Sequence, residues 1–287
     1  MVAEHSFHTG TVDLNYADGE ASGPPIVLLH GGSLRWQSVM PLIPDLAARW
    51  HVYAPDLRGH GRSGRVPGRY RLQDYASDVA LFLEQVVNAP ASLFGHSLGG
   101  HVAILVAALH PELVRGLVIG DAPFDRTRLR AAIVRDRARL LHWRDLAGPT
   151  HSLDEISEGL KQTPIAVDGQ PDLVAARLVF GDESPWFREM AANLYLLDPQ
   201  MLDAVVEFDQ MHADYEYDRL FPLIACPVLI IQGSPAQGGM LTDEEIERAL
   251  TLLPEATVAR MDKVGHPLHM EDKDPVLAAL TSFLNPL

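Results

Sequence analysis

Ser97 stands in the run Gly95-His96-Ser97-Leu98-Gly99-Gly100, which fits the pattern G-x-S-x-G. Leu93-Phe94 precedes it as a short apolar strand, and His101-Val102-Ala103-Ile104 follows it with helical spacing. A serine on so sharp a strand-to-helix turn is held in strained geometry with its hydroxyl exposed, and the flanking glycines let strand and helix approach closely. The helix N-terminus beside it favours developing negative charge. A serine hydroxyl still needs a base. The chain has 13 histidines, so position must choose among them. His266, in Val264-Gly265-His266, follows the last apolar run, 257–261, and is the expected base. His269 is the competitor, read as a packing neighbour. Zinc bound by the pair is disfavoured, because no third ligand with metal spacing stands nearby. His30-Gly31-Gly32 ends an early apolar run, so the N–H groups of Gly32 and Leu98 are expected to face an oxyanion.

These residues need elements to position them. Residues 5–18 read as a β-hairpin. Strands are expected at 26–29, 51–54, 91–94 and 116–119, with helices at 35–49, 72–87 and 98–110. This alternation argues a parallel sheet with helices on both faces, an α/β fold. In such a sheet Ser97 and His266 open at the same carboxyl edge. From 122 to 222 helical patterns follow one another with no convincing strand. Alternation resumes at 228–232, 242–252, 257–261 and 274–284. The expected organisation is a core of 1–121 and 223–287 with a helical insertion at 122–222.

The 287 residues are 47% hydrophobic and 21% charged, ordinary for a globular protein, with a formal net charge of −15. So acidic a chain repels a phosphate backbone and an anionic membrane surface, which leaves a small molecule as the expected partner. No apolar run reaches the ~20 residues a bilayer span needs, and no signal peptide is read at the N-terminus. A cytoplasmic location is therefore expected; no feature specifies an oligomeric state. The single cysteine, Cys226, precedes Pro227 and an apolar run and reads as a small buried residue.

Taken together, His30-Gly31-Gly32 with Trp36, Ala54-Pro55-Asp56-Leu57-Arg58-Gly59-His60-Gly61-Arg62-Ser63, Gly95–Gly100 and Gly265-His266-Pro267-Leu268-His269-Met270-Glu271 resemble the α/β-hydrolase superfamily, in the order that family uses. The resemblance covers most of 25–121 and 223–287. It implies an eight-stranded, mostly parallel sheet, a serine–acid–histidine triad, a cap at 122–222 and the cap-bearing esterase branch. Epoxide hydrolases and haloalkane dehalogenases of this fold carry aspartate where Ser97 stands, which argues against both. The family commonly places its acid shortly after the strand matching 228–232, but no carboxylate lies between Gly233 and Leu241. Three readings stand: Asp121 at the end of the run 116–120, which is preferred; Asp243, which also suits a helix N-terminus; or no acid at all.

The insertion carries Trp143, Trp186, Phe187, Met190, Tyr195 and Leu196. Trp36, His96, Trp143 and Trp186 are the expected pocket residues, suiting an apolar substrate. Seven arginines fall within 126–144. They read as a solvated face, or, if one turns inward, as a site for a substrate carboxylate. The expected activity is a carboxylesterase-like serine hydrolase that needs no cofactor. The same residues would serve a lactone or a carbon–carbon bond, and the missing acid admits a ligand-binding protein without turnover.

Overall fold

The computed structural model describes residues 2–19, 23–167 and 172–287. Its strands are β1 (Ala3–His8), β2 (Asp13–Asp18), β3 (Pro25–Leu29), β4 (His51–Pro55), β5 (Ala91–His96), β6 (Val114–Gly120), β7 (Pro164–Ile165), β8 (Val174–Ala175), β9 (Val228–Gly233) and β10 (Ala256–Met261). Eight form one sheet in the order β1-β2-β4-β3-β5-β6-β9-β10. β1 pairs antiparallel with β2, and β2 with β4; all later pairs are parallel. This is the α/β-hydrolase fold expected from the sequence.

The helices are α1 (Ile43–Leu46), α2 (Leu72–Phe82), α3 (Leu98–Leu109), α4 (Arg126–Arg135), α5 (Arg137–Leu146), α6 (Leu153–Lys161), α7 (Ala176–Phe180), α8 (Trp186–Tyr195), α9 (Pro199–Val206), α10 (Phe208–Met211), α11 (Tyr217–Leu220), α12 (Asp243–Leu252) and α13 (Lys273–Leu284). The stretch 35–49 is mostly a 3₁₀ turn, Trp36–Leu42, because Pro41 and Pro44 break the α-helical ladder. α4 to α11 lie between β6 and β9. That stretch is not strand-free: β7 and β8 form a two-residue antiparallel pair, too short to leave an alternating pattern.

Side chains alternate along each strand, which splits the central strands between two cores. Val27, Leu29, Leu93, Leu117, Ile119, Val228 and Ile230 face α2, α3 and α12. Ile26, Leu28, Phe94, Val118, Leu229 and Ile231 face the 3₁₀ turn and α13 on the other side. Burial on both faces is why these strands read as continuous apolar runs. The register matters for function. Leu29 pairs with Gly95, Gly95 with Ile119, and Ile119 with Ile230, so the carboxyl ends of β3, β5, β6 and β9 finish level.

The loop from Asp56 to Ser63 braces this edge. Asp56 is buried and accepts from the N–H groups of Trp36 and Arg62 and from the Asn15 amide. A Cβ on Gly61 would lie 2.2 Å from the Asp56 carboxylate, so glycine is required there. Arg58 holds Asp78 with two bonds of 2.6 and 2.7 Å, both side chains buried. Cys226 is half-buried, and burial pushes its thiol up to about 11, so it is inert.

Buried histidines join the loops. The His30 ring donates to the Gly31 carbonyl and accepts the Leu57 N–H; the His60 ring donates to the Arg58 carbonyl and accepts the Ser33 N–H. A ring that must accept an N–H is neutral. Burial lowers His30, His101 and His269 to about 4, and His60 and His212 to about 3, from the ordinary 6.5, and holds His96 well below it. Each folded-state value lies below the unfolded one, so as pH falls the unfolded chain binds its protons first. The contribution of the neutral rings is whole above about pH 6.5 and is lost progressively towards pH 4 and 3, at about 1 kcal/mol per histidine per pH unit. The urea midpoint is therefore expected to fall steeply between about pH 7 and 5.5, in the protein carrying Ser97→Ala as in the parent. A midpoint that stays flat across this range contradicts the neutral assignment.

Candidate active site

Ser97 follows β5 directly and caps α3 in a left-handed conformation, φ +51° and ψ −114°. A non-glycine residue pays strain in that region. The turn is enforced by close packing. A Cβ on Gly95 would lie 2.2 Å from the Gly99 carbonyl oxygen, and one on Gly99 would lie 2.4 Å from that of Leu29 and 2.7 Å from that of His30. Ser97 is partly exposed at the tip, and its own N–H is held by the Gly120 carbonyl at 3.0 Å.

The loop after β10 brings His266 to this point. His266 Nε2 is 3.2 Å from Ser97 Oγ, and His266 Nδ1 is 2.8 Å from Asp121 Oδ2. Asp121 follows β6, is fully buried and adopts φ +44°. It accepts three further bonds, from the N–H groups of Gly233 (3.0 Å), Met240 (2.8 Å) and Leu241 (3.2 Å). The loop that lacks a carboxylate thus supplies amides to one that comes from the neighbouring strand. Because the acceptor Oδ2 fixes the proton on Nδ1, Nε2 is left as a lone pair facing the serine. Asp243, the alternative acid, lies elsewhere: it is exposed and bonds Gln232 and Arg260, both of which lower its pKa.

Gly32 and Leu98 flank Ser97, and a Cβ on Gly32 would sit 3.8 Å from that of Leu98. Neither N–H donates to another group among the described residues. For Leu98 this is the orphan donor every helix start leaves.

A cavity of about 430 Å³ opens onto Ser97, His266, Gly32 and Leu98. Its apolar wall comes from Leu129, Ile133, Leu140, Trp143, Met201, Leu202, Val205 and Met240. Trp143 is the one expected pocket residue found in this lining. Trp36 is instead buried in the core on the opposite face of the sheet, its N–H held by Asp56. Trp186 stacks on Phe180 with ring centres 4.9 Å apart. His96 sits behind the base, donating from Nε2 to the His266 carbonyl at 2.7 Å, with its ring 4.9 Å from that of His266. It positions the loop rather than lining the cavity. His269 packs against Phe94 and His96. The sequence reading missed His101, His212 and Asp136 in the lining and marked Arg135 and Arg139 only as members of the basic cluster. His101 had a signal: it lies four residues after Ser97, one helical turn on the same face. A larger hollow of about 500 Å³ between Arg71 and Glu207 contains neither a serine nor a histidine.

With this geometry in view, the comparisons with known proteins are informative. Residues 26–279 match the model of the alpha/beta hydrolase family. The chain belongs to that family. The 30 kDa magnesium-chelatase subunit of Rhodobacter capsulatus is 28% identical over 278 residues, 93% of this chain and 88% of that protein. The sn-1-specific diacylglycerol lipase of Mus musculus is 26% identical over 284 residues, 94% and 84% of the two chains. Among solved structures, E-2-(acetamidomethylene)succinate hydrolase superposes with a TM-score of 0.76 at 20% identity, covering 99% of this chain and all of that one, a likeness of fold. No helix among the described residues of this hydrolase-family chain is long and apolar enough to cross a membrane.

The packing behind Ser97 makes a direct prediction. Gly99→Ala puts a methyl group against two rigid carbonyls, and overpacking of this kind costs roughly 1–3 kcal/mol. The urea midpoint of Gly99→Ala is expected to fall accordingly, whereas Gly238→Asn, at an open left-handed position, leaves it nearly unchanged. Equal midpoints for Gly99→Ala and the parent would mean the strand and helix are not in contact at the turn.

Proposed function

We propose that this hydrolase-family chain is a carboxylesterase-like serine hydrolase, cleaving an ester of a small, largely apolar substrate through an acyl-enzyme. One observation carries the reading: Ser97 Oγ, His266 and buried Asp121 lie in hydrogen-bonding sequence, beside two backbone N–H groups with no partner among the described residues. His266 Nε2 takes the Ser97 proton as Oγ attacks the carbonyl carbon. The N–H groups of Gly32 and Leu98 hold the oxygen as it gains charge, each such donor being worth about 3 kcal/mol. The positive end of α3 adds to this stabilisation. Asp121 keeps the proton on Nδ1 and stabilises the imidazolium. The imidazolium then protonates the departing alcohol oxygen, leaving the acyl group on Ser97. Water, deprotonated by the same Nε2, attacks the acyl carbon and returns the serine. No metal or organic cofactor enters these steps.

Residues 1–121 and 223–287 are the core in this reading, and 122–222 is the cap, since α4, α5 and α9 contribute the cavity's apolar wall. That wall supports an apolar substrate, and the likeness to the mouse diacylglycerol lipase supports an ester. A lactone or a carbon–carbon bond would use the same residues, but no feature of the cavity favours either. The reading as a ligand binder without turnover rests on a missing acid, and the bond between His266 Nδ1 and Asp121 supports the enzyme reading instead. The small-molecule substrate, the exclusion of nucleic acid and membrane by the charge of −15, and a cytoplasmic setting belong to the same proposal.

Turnover of p-nitrophenyl esters from short to long acyl chains tests it. Ser97→Ala is expected to lose activity by at least about a thousandfold, Asp121→Asn by about 10⁴ in kcat, and Asp243→Asn by less than about twofold. A burst without sustained turnover in the parent would sink the enzyme reading. Asp121→Asn turning over like the parent would sink the acid assignment alone.

A further inference from the structure

The seven arginines between 126 and 144 do not share one environment. Arg126 and Arg130 pair with Asp209, Arg128 with Glu245, and Arg144 with Asp145 and Asp203. Arg135 and Arg139 are different in place: both line the cavity that holds Ser97, and there they share one carboxylate, Asp136, at 3.3 and 2.6 Å. Two guanidinium groups against one carboxylate leave an excess positive charge within the lining. The other titratable groups there are His101, His212 and His266. Burial keeps His101 and His212 neutral at physiological pH, so neither adds to that positive charge.

Two further details single out Arg139. Its Nε–H is buried and has no partner among the described residues, a state that is costly, the more so for a charged group. Its guanidinium lies over the Trp143 ring, 5.2 Å from the centre, which fixes the plane of the fork. Asp136 makes no capping bond to α5, although it stands at the N-cap; both its oxygens go to the arginines. In a chain of net charge −15 there is no general attraction for anions, so a local positive excess beside a nucleophile is selective.

We propose that the cavity takes a monoanionic substrate, an ester carrying one carboxylate, with that carboxylate bound by the Arg139 guanidinium alongside Arg135. A planar guanidinium matches a carboxylate with two parallel bonds. The apolar wall then holds the carbon chain between the carboxylate and the reacting carbonyl.

This rests on the Ser97 hydrolase reading, and the experiment separates the two. Monoethyl suberate and ethyl octanoate differ by a terminal carboxylate at nearly equal length, and acid release from each is followed by titration. The parent is expected to prefer the half-ester by at least about tenfold in kcat/KM, mainly through KM, and the preference should shrink in roughly 0.5 M salt. Arg139→Met should bring the ratio between the two esters to about 1, and Arg139→Lys, which keeps the charge without the fork, should leave it in between. Melting temperatures of the variants check that each has folded. A parent that prefers the neutral ester, or an Arg139→Met ratio equal to the parent's, overturns the proposal. If neither ester turns over, the hydrolase reading fails first, and calorimetric binding of monoethyl suberate against ethyl octanoate to Ser97→Ala still decides. Tighter half-ester binding that Arg139→Met abolishes supports the site; equal binding overturns it.

Discussion

Everything at the carboxyl edge of the sheet depends on a buried carboxylate being tolerated at Asp121. Moving such a group out of water carries an effective penalty of several kcal/mol. Here it is offset by three backbone N–H groups and one imidazole N–H, and hydrogen bonds to a charged group contribute about 1.5–3 kcal/mol each. The donors come from the β9 loop and the β10 loop, so the acid also ties those two segments to β6. Removing its charge would therefore loosen the loop that carries the base as well as change that base's tautomer.

The second constraint is steric. Ser97 is held at positive φ because β5 and α3 approach until only glycine fits at 95 and 99. The strain is sustained by packing on both sides of the turn, including the carbonyls of Leu29 and His30 at the end of β3. The connection continues through Gly31 to Gly32, which lines the cavity beside Leu98. The close approach that bends the serine outwards thus also sets Gly32 and Leu98 in the same stretch of lining. His96 completes the arrangement from behind: a neutral ring whose donor holds the His266 carbonyl, fixing the base's backbone without contributing charge.

Much of this was legible in the residues. Ser97, His266, Gly32 and Leu98 sit where a strand ends and a helix or loop begins, and local pattern reports such boundaries well. The apolar runs at 26–29, 91–94, 116–119 and 228–232 announced a sheet buried on both faces. Asp121 was preferred from its place at a strand end, but the sequence around 233–241 left Asp243 open. The deciding bonds span 112 to 145 residues of chain and join backbone amides, which carry no residue-type signal. The pocket was the least legible part. Trp36 and Trp186 are large and apolar, and such side chains suit a core as well as a cavity; which one they face depends on tertiary packing. Arg139 and Arg135 read only as part of a basic cluster, yet Arg144, in the same cluster, meets Asp145 and Asp203 instead.

That difference follows from helix geometry. α4 ends at Arg135 and α5 begins at Arg137, with Asp136 as the hinge residue between them. Arg135 and Arg139 reach the hinge carboxylate from the two sides of the break, and both side chains are thereby held where the two helices meet over the cavity. Arg144, further along α5, meets Asp203 on α9 instead, and Arg130, further back on α4, meets Asp209 on α10. Arg128 and Arg144 meet acids of α12 and α9, and Arg126 and Arg130 share Asp209, so these contacts knit the helices together. The hinge pair also shares one acid, but it does so at the cavity that Ser97 lines, to which Asp209 does not contribute. A helical segment built only to cover the core would need no such imbalance, because Arg139 could be any long apolar residue packing on Trp143 with no buried donor left over.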